Sequence, residues 1–177
     1  MEVKVDILKP FFQEPTRKYL IREIARILGI NHTTVRKYLN YYTKESLLLV
    51  KKSQPYSCYV ANVESKKYLN AKLYFNLELI RESNIIEKLE QNYDYPPIVL
   101  FGSFAKAIDD KNSDIDICVI SNINKNIDFS EEEKVLARKI SIHRFSKQSF
   151  DAAKKNNPEL INNVINGITL SGQLEVL

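Results

Sequence analysis

Cysteine and histidine are scarce, with two of each among 177 residues. Cys58 and Cys118 lie far apart without metal-ligand spacing, and His32 and His143 are isolated, which argues against a zinc site. So few cysteines also exclude a disulfide scaffold; both are expected to be buried small side chains in a reducing cytoplasm. No apolar run approaches the roughly twenty residues of a membrane-spanning helix. Met1-Glu2-Val3-Lys4 does not open a signal peptide, so a cytoplasmic chain with no membrane contact is expected. What is present suffices for packed cores: 44% hydrophobic and 10% aromatic residues, in a length that suits one large or two small domains.

Charge divides the chain. Residues 1–82 carry fifteen Lys and Arg against eight Asp and Glu, which leaves eleven against fourteen of the chain's 26 and 22 for residues 83–177. A basic first half joined to an acidic second half suggests a nucleic-acid contact made by the first alone.

Within that first half, Val5, Ile7, Leu8, Phe11 and Phe12 follow a helical period that ends at Glu14-Pro15-Thr16. Leu20, Ile21, Ile24, Ala25 and Leu28 make a second apolar stripe, stopped by Gly29. Asn31 can cap a third helix with Val35, Leu39 and Tyr42 inward. Its outer face carries Thr33, Thr34, Arg36, Lys37, Asn40, Tyr41 and Lys44, residue types that contact phosphates and base edges. Residues 47–52 and 56–60 read as two strands around Ser53-Gln54-Pro55, with Lys51 and Lys52 beside the hairpin tip. Three helices and a hairpin resemble the winged helix-turn-helix of bacterial and archaeal regulators, which implies binding of double-stranded DNA. The run I-R-E-I-A-R-I-L-G-I-N-H-T-T-V-R-K-Y-L carries that resemblance.

A helix over residues 65–83 follows, with Tyr68, Leu69, Leu73, Leu77 and Ile80 in one stripe. That stripe packs on the chain's own domains or forms a homodimer contact. The helix after it turns Ile85, Ile86 and Leu89 inward, against the sheet of the second domain.

The most informative stretch runs from Phe101 to Asp116. Ile98-Val99-Leu100-Phe101 reads as a buried strand, Gly102 lets the backbone turn sharply, and Ser103 to Ala107 can open a short helix. The N–H groups of such a helix start favour a phosphate. After a loop, residues 114–120 read as a second strand, with Asp114 and Asp116 on one face and Ile115, Ile117 and Val119 on the other. Two carboxylates so placed repel unless a cation lies between them, and hard oxygens beside a phosphate site suit Mg²⁺ with a nucleotide.

This stretch resembles the signature of the DNA polymerase beta-like nucleotidyltransferase superfamily, G-S-x10-D-x-D, with residues 104–113 as the ten. It is similar in particular to the minimal nucleotidyltransferase branch, G-S-x-A-R-G followed by S-D-I-D. Gly102, Ser103, Ala105, Ser113, Asp114, Ile115 and Asp116 match, while Lys106 replaces Arg and Ala107 replaces Gly. Lys106 keeps the charge but loses the bidentate fork. The resemblance implies catalytic and metal-binding roles for Asp114 and Asp116. It also implies nucleotide contacts at Gly102, Ser103, Lys106 and Ser113, with Mg²⁺ or Mn²⁺ and a nucleoside triphosphate.

Active members usually place a third metal-binding carboxylate on a later strand. Residues 139–145 alternate as that strand but offer Ser141 and His143 there, so transfer is expected to be slow or absent. His143 is read as an ordinary sheet histidine in preference to a base. Ser130-Glu131-Glu132-Glu133 is expected to form a capping box, and residues 149–155 a turn or two of helix. Asn157-Pro158 starts a last helix stopped by Gly167, before a strand or hairpin around Ser171-Gly172.

The expected fold is therefore α+β. A winged helix-turn-helix over residues 1–63 and a connecting helix over 64–83 precede a nucleotidyltransferase-fold domain over 84–177, a small mixed sheet with helices. Three functions fit: a DNA-binding protein that transfers a nucleoside monophosphate to a protein or small molecule; a transcriptional regulator that only binds nucleotide; and an antitoxin-like transferase. The last resembles minimal nucleotidyltransferases that adenylylate a companion HEPN toxin.

Overall fold

A computed structural model describes the backbone of residues 2–52 and 56–174, and side chains from Ile7 onward. The chain forms two compact units, Met1–Lys72 and Leu73–Leu177. Both contain helices and a small sheet, so the architecture is α+β. Among the described residues no helix is long and apolar enough to cross a membrane.

In the first unit, helix α1 (Glu2–Gln13) buries Ile7, Leu8, Phe11 and Phe12. The side chain of Val5 lies outside the described residues. Helix α2 (Ile21–Leu28) ends at Gly29, whose φ of 65° is left-handed and open to glycine at no steric cost. Leu20, expected within this helix, is its N-cap and is exposed. Helix α3 (His32–Lys44) starts where Asn31 Oδ1 accepts the Thr33 N–H at 2.8 Å, and it buries Val35, Leu39 and Tyr42. Strands β1 (Leu48–Lys51) and β2 (Cys58–Ala61) pair antiparallel, Leu48 with Ala61 and Lys51 with Cys58. Ser53, Gln54 and Pro55, the expected tip, lie outside the described residues. Cys58 is only half-buried, contrary to expectation, because a two-stranded sheet leaves one face uncovered; Cys118 is buried as expected.

Helix α4 (Lys66–Glu82) contributes to both units, since their division falls between Lys72 and Leu73. In the first unit Tyr68 is buried and its hydroxyl donates to the Phe11 carbonyl at 2.9 Å. In the second, Leu77 and Ile80 join the core of the sheet.

The second unit is built on four strands: β3 (Ile98–Phe101), β4 (Ile115–Ile120), β5 (Ile140–Phe145) and β6 (Ile168–Ser171). Their order is β5-β4-β3-β6; β4 and β5 run parallel and the other pairs antiparallel. Alternation gives the sheet two faces. On one, Ile98, Leu100, Ile115, Ile117 and Val119 are buried beneath helix α5 (Ile85–Tyr93), the end of α4 and Leu136 of helix α7 (Ser130–Leu136). On the other, Val99, Phe101 and Cys118 pack with Phe150 of helix α8 (Lys147–Asn156) and Ile161 and Val164 of helix α9 (Pro158–Ile165). Burial of each such aliphatic side chain stabilises by about 1.5–3 kcal/mol.

Several local expectations are corrected. Ser130 is the first residue of α7 and not its cap; Asp128 Oδ1 instead accepts the Ser130 N–H at 3.0 Å. Glu133, freed from a capping box, accepts the Ile140 N–H at 2.9 Å and anchors the start of β5. Helix α8 is longer than two turns because Ser146 caps it, accepting the Ser149 N–H at 3.1 Å. Beyond β6, Glu175, Val176 and Leu177 of the expected terminal strand lie outside the described residues.

Gly167 follows α9, yet it is not left-handed. A Cβ there would meet the Leu100 carbonyl oxygen at 2.5 Å and Val99 Cγ1 at 2.8 Å, so close approach to β3 is what requires glycine. Gly167→Ala should therefore destabilise the protein by about 1–3 kcal/mol, through forced backbone shifts. Urea unfolding of the two proteins checks this by the change in midpoint.

Candidate functional site

The site is built where β3 ends. Phe101 is paired with Asp116 across the antiparallel ladder, so the residue after Phe101 must turn beside that carboxylate. That residue is Gly102, with φ 73°. A Cβ on it would lie 2.4 Å from Asp116 Oδ2 and 3.2 Å from its Cγ. Glycine is needed twice, for the backbone angle and for the space.

The turn that follows, α6 (Gly102–Ala105), is a single turn and shorter than the helix expected over 103–107. Ile108 N–H bonds back to the Ser103 carbonyl at 3.1 Å, and Ala107 stands at φ 56°. This left-handed closure stops the helix. Ala107 occupies the position where the minimal branch has glycine, and its methyl costs about 1–2 kcal/mol in that conformation.

Strand β4 begins at Ile115, so Asp114 precedes it and is exposed, while Asp116 lies within it and is half-buried. Ile115, Ile117 and Val119 occupy the closed core, which leaves Asp116 on the opposite face with Cys118. Parallel pairing sets Ser141 level with Asp116 and His143 level with Cys118. His143 Nε2 lies 3.7 Å from Asp116 Oδ1 and 3.2 Å from Ser141 Oγ. The imidazole also meets the Phe101 ring edge to face, 5.1 Å between centroids. Burial lifts the Asp116 carboxyl above the ordinary aspartate value; the charge of His143 opposes that lift, and Asp114 adds to it.

The other expected nucleotide contacts have partners within the protein. Lys106 Nζ donates to Asn163 Oδ1 of α9 at 3.1 Å. Ser113 Oγ accepts the Asp110 N–H at 3.0 Å, and the Ser113 N–H bonds the Asp110 carbonyl at 3.1 Å, so Ser113 closes a turn. Ser103 is half-buried beside Gly102.

Asp109, Arg138 and Asn76 did not stand out in the sequence. Asp109 is fully buried, with its Oδ2 3.2 Å from Arg138 Nη2 and its Oδ1 accepting from Asn76 Nδ2 at 2.8 Å. Arg138 also donates to the carbonyls of Asp110 and Ser113. Asp109 and Arg138 stand 29 positions apart, a separation at which no sequence period operates.

Among the described residues no group of three His, Cys, Asp or Glu is placed to hold a metal ion. Asp114 and Asp116 remain the acidic pair at this end of the sheet. Such a donor set fits an ion that keeps waters and nucleotide phosphates as its other ligands, as Mg²⁺ commonly does, and not a closed protein cage.

In the first unit, Thr33, Arg36, Lys37, Asn40, Tyr41 and Lys44 lie on the exposed side of α3, and Lys51 and Lys52 are exposed on the hairpin. Thr34 is half-buried, at the edge of that side. Asn40 Oδ1 accepts from the Tyr59 hydroxyl at 3.1 Å, which ties α3 to β2.

The family model described as "Polymerase beta, Nucleotidyltransferase" matches residues 83–174, just over half of the chain and nearly all of the second unit. The chain belongs to the polymerase beta nucleotidyltransferase family. No curated protein matches it in sequence.

The raised Asp116 carboxyl has a signed consequence. Between its unfolded and folded values the folded state binds the extra proton, so stability falls as pH rises through that interval. Asp116→Asn should consequently raise the melting temperature at neutral pH, and the gain should vanish below the aspartate range. Thermal unfolding of both proteins across pH checks the sign.

Proposed function

We propose that the second unit binds a nucleoside triphosphate together with a divalent cation and transfers its nucleoside monophosphate slowly to a hydroxyl acceptor, the acceptor oxygen bonding to the α-phosphorus as the bond to the β-phosphate breaks and pyrophosphate leaves. The observation that carries this reading is the Asp116 carboxylate held against Gly102, with Asp114 two residues before it, just ahead of the same strand. Asp114 and Asp116 would hold Mg²⁺ or Mn²⁺. When bound, the ion supplies neutralisation of phosphate charge and polarises the phosphoryl group under attack. Gly102 and Ser103 lie where backbone N–H groups can meet the phosphates.

His143 Nε2, between Asp116 and Ser141, is the side chain on this face suited to take the proton of an acceptor hydroxyl. It stands in for the carboxylate that active relatives usually carry on this strand. An imidazole adds no negative charge to hold a second ion, so transfer is slow.

One observation favours a second reading, in which the domain binds nucleotide without transferring it. Ser141, level with Asp116, supplies no carboxylate at all. Calorimetry with each nucleoside triphosphate, with and without Mg²⁺, followed by incubation of the labelled nucleotide with candidate acceptors, separates the two. Metal-dependent binding with slow labelling supports transfer, and binding without labelling supports the second reading. Equal affinity with and without metal overturns both.

We propose further that residues 1–63 form a winged helix-turn-helix that binds duplex DNA through α3 and the hairpin. The observation behind this is the cationic outer side of α3, with Arg36, Lys37 and Lys44 exposed on a helix whose opposite side is core. Replacing Arg36 and Lys37 by Ala should weaken binding and reduce the slope of log affinity against log salt by roughly 0.9 per lost phosphate contact. Fluorescence titration at several salt concentrations measures the slope, and an unchanged slope and affinity would remove the DNA-binding role.

A further inference from the structure

We propose that Arg138 is a positioning residue: its guanidinium, anchored on buried Asp109, grips the carbonyls of Asp110 and Ser113 and so fixes where Asp114 stands for metal and nucleotide. The role in ligand binding rests on the nucleotide-site reading above; the clamp itself rests on geometry alone.

Asp114 follows an eight-residue segment, 106–113, with little regular structure, and it precedes β4. Left to itself such a segment would let the carboxylate wander, because a loop residue keeps conformational entropy that a strand residue has lost. Here the backbone is held on both sides of Asp114 by consecutive residues. Before it, the Ser113 carbonyl accepts from Arg138 Nη1 at 3.2 Å. After it, the Ile115 N–H donates to the Lys139 carbonyl at 2.9 Å.

Arginine suits this task and lysine does not, since only a planar fork can serve two carbonyls and a carboxylate together. The guanidinium also lies 5.5 Å from the centroid of the Phe104 ring, in the Gly102–Ala105 turn. Asn76 completes the link: its Nδ2 donates to Asp109 Oδ1 at 2.8 Å and to the Phe104 carbonyl at 2.9 Å. One network therefore ties the turn after β3, where phosphates would lie, to the loop that delivers Asp114.

The energetics argue for position over stability. Side chains of Arg138 and Asp109 are 7% and 0% exposed, and a buried ion pair gains little over apolar packing once its desolvation is counted. What it offers is a fixed geometry for the groups around it. Partners of ligating groups commonly change metal affinity by about 10–100-fold when replaced.

The test uses the full chain with Arg138→Lys, which keeps the charge and loses the fork. Amide hydrogen exchange at Ser113 and Ile115 is expected to rise about tenfold or more, with Cys118 and Val119 unchanged as internal controls. Affinity for ATP with Mn²⁺, read by calorimetry and by the Mn²⁺ paramagnetic resonance signal, is expected to fall about tenfold, while affinity for ATP alone holds. Asp109→Asn, which keeps the shape and removes the buried charge, should move both readouts in the same direction if Arg138→Lys fails to fold. Unchanged exchange at Ser113 and Ile115 in a folded variant overturns the clamp. An equal loss of affinity with and without metal overturns its role in positioning. If the wild type itself binds ATP no better with Mn²⁺, the nucleotide reading fails instead, and the exchange data still decide whether Arg138 holds Asp114 in place.

Discussion

The contact between the backbone of Gly102 and the carboxylate of Asp116 is the constraint on which the second unit depends. It exists because β3 and β4 pair antiparallel with Phe101 opposite Asp116, so the turn leaving β3 passes beside that side chain. With a space of 2.4 Å where a Cβ would sit, a side chain larger than hydrogen cannot occupy position 102 without displacing the carboxylate. A shift of one residue in the ladder would turn Asp116 into the core and a core isoleucine toward the site. The closed face, with Ile115, Ile117 and Val119 buried, is what forbids that shift.

The two faces of the sheet divide the work. One is sealed by α5, the end of α4 and α7, and its packing sets the register. On the other, Phe150, Ile161 and Val164 pack with Val99, Phe101 and Cys118, and Ile120 and Phe145 are partly covered there too. At the near end Asp116, Ser141 and His143 stay half-buried. Partial burial is enough to raise the Asp116 carboxyl while leaving it within reach of a ligand. The electrostatic character of the site thus follows from where the helical cover stops.

What could be read from the sequence is what operates over short spans. Alternation across residues 115–120, the turn glycine at 102 and the Asn31 cap each involve neighbours within a few positions, and the structure has them. Ser130 misled because Asp128, two residues earlier, accepts both the N–H and the hydroxyl of Ser130, which draws Ser130 into the first turn, a choice composition does not settle. Gly167 reads as a helix stop, but its reason is a carbonyl of β3 far away in sequence. The Asp109–Arg138 pair was not visible for the same cause, since only folding brings its members together. The acidic residues of the candidate site fall within one motif, whereas the residues that hold them in place are scattered. The left-handed Ala107 lies between these cases: its conformation follows from the turn, and the alanine itself hides the glycine-like geometry.

Charge accounting connects these features to what the site can do. A divalent ion between Asp114 and Asp116 would meet two negative charges, sufficient to balance it but not a second ion. His143 adds either no charge or one of the wrong sign for a cation. The remaining ligands for a first ion would have to come from water and from nucleotide phosphates, which also carry the charge to attract it. Metal and nucleotide would then each improve the site for the other, because neither finds a complete set of partners alone. Such mutual dependence places a premium on where the exposed carboxylate stands. Asp116 is fixed by its strand and by Gly102; Asp114 stands outside the strand, at the end of a loop that is gripped by Arg138. A buried ion pair beside an exposed carboxylate is what a site that supplied so few ligands of its own would require.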